Sequence, residues 1–133
     1  MIFREIKTSA DIQEFLEKTN SLHDGYILGV NYANTGIAKI PGGHSMDVEK
    51  TRLVLQILVT SIEDAVVEIV FETVWDWQIT DPQLEILDTA VLFDKKQRIV
   101  WWDDEQAAED LKHHSYVIAE SMKWRFAAQN ESM

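Results

Sequence analysis

The stretch RLVLQILVTS, residues 52–61, alternates with a period of two and is apolar on both faces. Leu53, Leu55, Ile57 and Val59 share one side, and Val54, Gln56, Leu58 and Thr60 share the other. Such a run pairs on both edges and is covered on both faces, so it predicts a central strand. The rest of the fold has to be arranged around it.

Further strands follow from the same period. Tyr26, Leu28, Val30 and Tyr32 alternate with Ile27, Gly29 and Asn31. In the next run Val67, Ile69, Phe71, Thr73, Trp75 and Trp77 fall on one face, while Glu68, Glu72 and Asp76 join Val66, Val70 and Val74 on the other. LEILDTAVLF and RIVWW read as a hairpin around a turn at Asp94 to Gln97, and SYVIAESMKWRFA closes the chain as a last strand.

Helix is scarce. TSADIQEFLEKT, residues 8–19, spaces Ile12, Phe15 and Leu16 for one amphipathic helix, and Thr8 three residues before Asp11 suits a capping box. ANTGIAKIPGGHSMDVEK is rich in turn formers and reads as a long loop or loose hairpin connection. DDEQAAEDLK has room for a short helix with Asp103 or Asp104 at its N-cap. The expected class is α+β: a mostly antiparallel meander of about six strands, an N-terminal helix, and a short helix before the last strand. Its 133 residues, 46% of them hydrophobic, suit a single domain spanning 1–133.

Composition narrows the chemistry. The absence of cysteine excludes disulfides, thiolate metal sites and a cysteine nucleophile. Neither a leader-like apolar run nor a membrane-length segment appears, so a soluble, cytoplasmic protein is expected. The net charge of −11 is concentrated in residues 61–133, which hold 16 of the 23 acidic side chains. That sign disfavours nucleic acid and anionic membranes, and it favours a basic protein partner.

His23-Asp24 stands where helix gives way to strand, with Gly25 at the change of direction. An isolated HD dipeptide is weak evidence for metal chemistry. The structural account has Asp24 accepting backbone N–H groups around Gly25 and His23 donating a ring N–H to a carbonyl or carboxylate. His44, His113 and His114 lack metal-ligand spacing, and no metal or other cofactor is expected. Glu120 falls within the apolar row Tyr116, Ile118, Met122, Trp124 and Phe126. It is therefore either a buried, perturbed carboxylate or a residue turned to solvent by a bulge.

Five tryptophans, Trp75, Trp77, Trp101, Trp102 and Trp124, are many for this length. Most would cap a small sheet core, and at least one would stay partly exposed, because Trp101 and Trp102 point to opposite faces. No nucleophile elbow, phosphate loop or dinucleotide fingerprint occurs.

The SLHDGYILGVNY segment, the alternating strands after it and the closing SYVIAESMKWRFA resemble small bacterial domains that open with a helix and an L-H-D segment. Some similar domains are classed as immunity proteins of polymorphic-toxin systems. The resemblance implies the strand plan and, for function, a basic toxin as partner. It carries no catalytic residue across.

The leading expectation is a non-enzymatic binding protein with an acidic, tryptophan-bearing surface of Glu68, Glu72, Asp76, Trp101, Asp103 and Asp104. A pocket uniting His23, Asp24 and Glu120 is the alternative. A homodimer joined by edge strands or exposed tryptophans is a third reading.

Overall fold

The computed structural model describes residues 2–40, 43–46, 48–81, 85–107 and 111–127. The elements that build the main body are β1 (Arg4–Glu5), α1 (Ser9–Lys18), β2 (Gly25–Asn34), β5 (Thr51–Val59), β6 (Ala65–Gln78), β7 (Ala90–Phe93), β8 (Ile99–Trp102) and β9 (Tyr116–Phe126). The connection after β2 is a hairpin of its own, β3 (Ile37–Ile40) with β4 (Gly43–Met46).

The seven-stranded sheet runs in the order β2-β5-β6-β9-β8-β7, with β1 added to β9. Every strand pair in it is antiparallel. It is therefore α+β and sheet-dominated, but it is not a simple meander: the last strand returns to lie between β6 and β8. The reason is burial. Val117, Ala119, Met122 and Trp124 of β9 are all fully or almost fully covered, which a central strand achieves and an edge strand does not.

β5 is central as its sequence predicts, with Leu53, Leu55, Ile57 and Val59 wholly buried. The sheet curls around this face, and α1 lays Ile12 and Phe15 into it. Phe15 meets Trp124 edge-on, with ring centroids 5.4 Å apart. The helix starts as expected: Thr8 Oγ1 accepts the Asp11 N–H, and the Asp11 carboxylate accepts the Thr8 N–H. The Asp11 carboxylate also accepts the Lys7 N–H at 2.9 Å, and this bond first, with that from Thr8, holds the Asp11 carboxyl below its usual range.

Curling carries the segment before β7 round to the start of β2. Ile86 N–H donates to Gly25 O at 2.7 Å, Asp24 N–H to Ile86 O at 3.0 Å, and Thr89 N–H to Ser21 O at 2.8 Å. Gly25 is required at this meeting, because a Cβ there would stand 2.6 Å from Leu22 O and 3.1 Å from Ile57 Cγ2. The expected strand over LEILDTAVLF is accordingly short: it begins only at Ala90. Of the short helix expected in DDEQAAEDLK, the described residues form 3₁₀ turns at Glu105–Ala107 and Leu111–His113, and 108–110 lie outside the described residues.

The sequence pattern fails in one more place, within β6 and β9. Thr73 is left-handed, at φ 57°, and the pairing slips between Val74 and Asp76. Val74 therefore turns inward opposite Ala119, while Trp75 turns outward. β9 changes parity beside it: Val117 and Ala119 are buried before the break, Met122 and Trp124 after it, and Glu120 and Ser121 are exposed between. Thr51 supports the break, since its buried hydroxyl accepts the Val74 N–H at 2.7 Å and donates to Val48 O at 2.6 Å.

Among the described residues no helix is long and apolar enough to cross a membrane. Replacing Thr51 with Val removes the acceptor and leaves the buried Val74 N–H unpaired, at a cost of about 1–3 kcal/mol. Urea unfolding of Thr51→Val reads this directly. An unchanged midpoint would show that Val74 does not depend on the hydroxyl.

Candidate functional site

The bulge presents Trp75 on the outer face of the sheet, 48% exposed. Two neighbours fix it there. The indole N–H donates to Glu120 Oε1 at 2.8 Å, and the Arg98 guanidinium lies 5.7 Å from the ring centroid. Arg98 is in turn held by Asp94, whose Oδ2 accepts its Nε–H at 3.2 Å. Although partial burial opposes it, the Asp94 carboxyl is held below its usual range, because it accepts the Arg98 and Lys96 backbone N–H groups and pairs with the Arg98 side chain. The tryptophan's rotamer is thus set before any partner arrives.

Charges surround this indole. Glu72 is exposed and pairs with Lys123 at 3.3 Å. Asp76 is exposed and accepts the Tyr116 hydroxyl at 2.9 Å. Partial burial, then this carboxylate, raises the Tyr116 phenol above its ordinary value. Carboxylates at Glu72, Asp76 and Glu120 thus share a face with cations at Arg98 and Lys123, and acids outnumber bases.

The surface expected from sequence is only partly assembled. Glu72 and Asp76 belong to the Trp75 face. Glu68 lies further along β6, half-buried and bonded to Arg125 at 3.1 Å and to Gln56 at 3.4 Å. Trp101 is no surface residue: it is wholly buried, packed against Phe71 on the inner face. Trp102 is buried too, so the exposed tryptophan is Trp75 and not either of these. The expectation that Trp75 shares a face with Trp77 is likewise overturned by the bulge. Trp77 stacks on Tyr32, with centroids 5.3 Å apart.

Asp103 and Asp104 sit elsewhere, beside the chain closure. Asp103 accepts His114 Nδ1–H at 3.1 Å and the Ser115 N–H at 3.3 Å. Asp104 caps the following turn through Gln106 N–H at 3.0 Å. With Glu85, exposed Leu87 and His114 they line a small hollow.

His23 belongs to the same end. Its Nδ1 donates to Leu87 O at 2.6 Å and lies 3.2 Å from Asp88 Oδ1, while Nε2 is 3.6 Å from Asp24 Oδ1. The ring donation expected from sequence is therefore present. Asp24 works differently from expectation: its backbone, not its carboxylate, makes the corner's bonds. Asp24 O accepts Thr60 N–H and Thr60 Oγ1–H, its N–H reaches Ile86, and its φ is 57°. Glu120 does not join them. It lies on β9, exposed and bonded to Trp75 of β6, and β9 is separated from β2 by β5 and β6 across the sheet, roughly 14 Å at the usual strand spacing. Among the described hollows, none is lined by His23, Asp24 or Glu120.

Among the described residues, no three His, Asp or Glu side chains form a metal-ligand set. The side chain of His44 lies outside the described residues. His113 and His114 diverge, with His113 exposed and His114 half-buried on Asp103. Comparison of the chain with protein-family models, curated proteins and solved structures finds no match.

The Leu87 carbonyl, followed by the Asp24 and Asp88 carboxylates, raises the His23 pKa above 6.5. A raised folded-state value means that the charged ring stabilises the fold below the unfolded pKa and loses that contribution as pH rises through the folded one. The melting-temperature gap between wild type and His23→Gln is therefore widest below pH 6.5. It narrows as the pH rises through the raised folded-state value, beyond which the neutral ring keeps only its bond to Leu87. A gap constant across the pH series would contradict this account.

Proposed function

We propose that this chain is a non-enzymatic binding module that meets a basic protein with the outer face of β6 and β9. Trp75 is the anchor, and Glu72, Asp76 and Glu120 supply the attracting charge. The observation that carries this reading is the bulge: it turns a large aromatic out of the core and into solvent, where Glu120 and Arg98 hold it still. Bulges re-aim side chains, and left-handed non-glycine residues persist where function or surrounding structure requires them. A rigid, half-exposed tryptophan ringed by charged groups is the composition of an interface hot spot. Because its rotamer is already fixed, binding loses little side-chain entropy there.

The acidic balance steers a cationic partner over distances near the Debye length, so the encounter weakens with salt. A basic toxin is the partner class implied by the L-H-D resemblance, and toxin neutralisation is the corresponding role.

The test is capture from native cells at low salt by immobilised wild type, Trp75→Ala, and Glu72→Lys/Asp76→Lys. Wild type should retain a basic protein. Trp75→Ala should bind it about thirty-fold more weakly or worse. The charge-reversed variant should slow association most at low salt. A basic protein retained equally by all three would remove this face from the account.

A further inference from the structure

We propose that the side chain which the Trp75 face takes from its partner is arginine, stacked on the indole and bonded through its guanidinium to Glu120. This rests on the binding reading above and adds to it the chemistry that the face selects.

The chain itself shows how it holds cations against aromatic rings. Four such contacts lie among the described residues: Arg4 over Trp124 at 5.6 Å, Arg98 over Trp75 at 5.7 Å, and Lys123 and Arg125 over Phe3 at 5.1 and 4.5 Å. In each, the cation is also paired with a carboxylate: Glu14 at 2.8 Å, Asp94 at 3.2 Å, Glu72 at 3.3 Å and Glu68 at 3.1 Å, respectively. The electron-rich face of the ring attracts the charge, and the acid orients it. Arginine makes three of the four contacts, although lysines outnumber arginines two to one in the chain.

Glu120 supplies one more acid at a ring, and its cation has to come from outside the chain. Oε1 accepts the Trp75 indole N–H at 2.8 Å, which sets the carboxylate at the edge of the ring. Among the described residues Oε2 accepts no bond and no cation pairs with Glu120. The indole is 48% exposed, so a guanidinium lying on its open part near Nε1 is within reach of Oε2. Asp76 follows Trp75 in the chain, exposed, with the Tyr116 hydroxyl on Oδ2. Three carboxylates, Asp94, Asp76 and Glu120, thus stand around the one guanidinium of Arg98, and a second cation meets net attraction there.

Lysine fits this geometry less well. A guanidinium is planar and weakly hydrated, with its N–H groups in the plane, so it lies flat on the indole while donating sideways to a carboxylate at the ring edge. An ammonium is a compact, strongly hydrated point charge, and it gives up one of these contacts to gain the other.

Two pentapeptides of equal charge test this, acetyl-Gly-Arg-Gly-Arg-Gly-amide and its lysine counterpart. Each is titrated into the whole chain labelled with fluorotryptophan, and the fluorine signal of Trp75 is followed. The arginine peptide should shift that signal saturably and bind about ten-fold more tightly than the lysine peptide. Glu120→Gln still accepts the indole N–H, so it should leave the Trp75 signal in place while bringing the two affinities to within about two-fold of each other. Glu105→Gln removes the same charge beside the chain closure and should preserve the preference. Equal affinities for wild type, a preference that survives Glu120→Gln, or a Trp75 signal unmoved by either peptide would overturn the assignment of arginine. The wider reading is judged separately, by whether Trp75→Ala loses the basic protein captured from cells.

Discussion

The hydrogen bond from the Val74 N–H to the Thr51 hydroxyl is the contact on which the outer surface of this protein depends. A left-handed residue at Thr73 costs about 1–3 kcal/mol and takes the next N–H out of the regular ladder. Burying Val74 returns about 1.5–3 kcal/mol, and the bond to Thr51 about 1 more, so the break is sustainable. Its consequences extend in both directions. Inward, Val74 and Ala119 complete the core; outward, Trp75 and Glu120 meet in solvent.

A second constraint sits at the opposite end of the same sheet. Asn20, Ser21, Leu22 and Asp24 are all left-handed, an unusual run for residues with a Cβ. Leu22 is wholly buried, and the polar groups around it are bonded: Ser61 Oγ–H to His23 O, Asn20 Nδ2–H to Ser61 Oγ, and Thr89 N–H to Ser21 O. This corner fastens the end of α1, the start of β2 and the approach to β7 in one place. His23-Asp24 thus acts mainly as a structural clasp, with the ring of His23 tying Leu87 and the backbone of Asp24 tying Ile86 and Thr60.

Much of this architecture was legible in the sequence. The two-sided apolar run of β5, the Thr8–Asp11 cap and the early helix all rest on local pattern, and local pattern decides them; the alternation expected in β2 does not survive the bulge between Ile27 and Gly29, which sets Tyr26 opposite the outward Leu58 but Val30 and Tyr32 opposite the inward Leu55 and Leu53. What escaped depended on contacts between segments far apart in the chain. A period-two reading carries Trp75 inward with Phe71, because nothing in FETVWDWQ announces a left-handed Thr73. The same reading places Glu120 in an apolar row. The strand's length was the available signal, since a fourteen-residue strand in a curled sheet is far longer than usual and invites a break. The acidic surface was half legible: charge and alternation identify Glu72 and Asp76, but only the folded sheet separates them from Asp103 and Asp104 and exchanges Trp101 for Trp75.

The most direct measurement is fluorine NMR of the chain labelled uniformly with fluorotryptophan, with signals assigned by single Trp→Phe variants. The solvent isotope shift between H₂O and D₂O reports which indoles touch water. The signal lost in Trp75→Phe should show the largest shift, with those of Trp101, Trp102 and Trp124 close to zero. A protected Trp75 beside a solvent-exposed Trp101 would mean that the strand keeps its regular alternation, and that the bulge, and the surface built on it, do not exist.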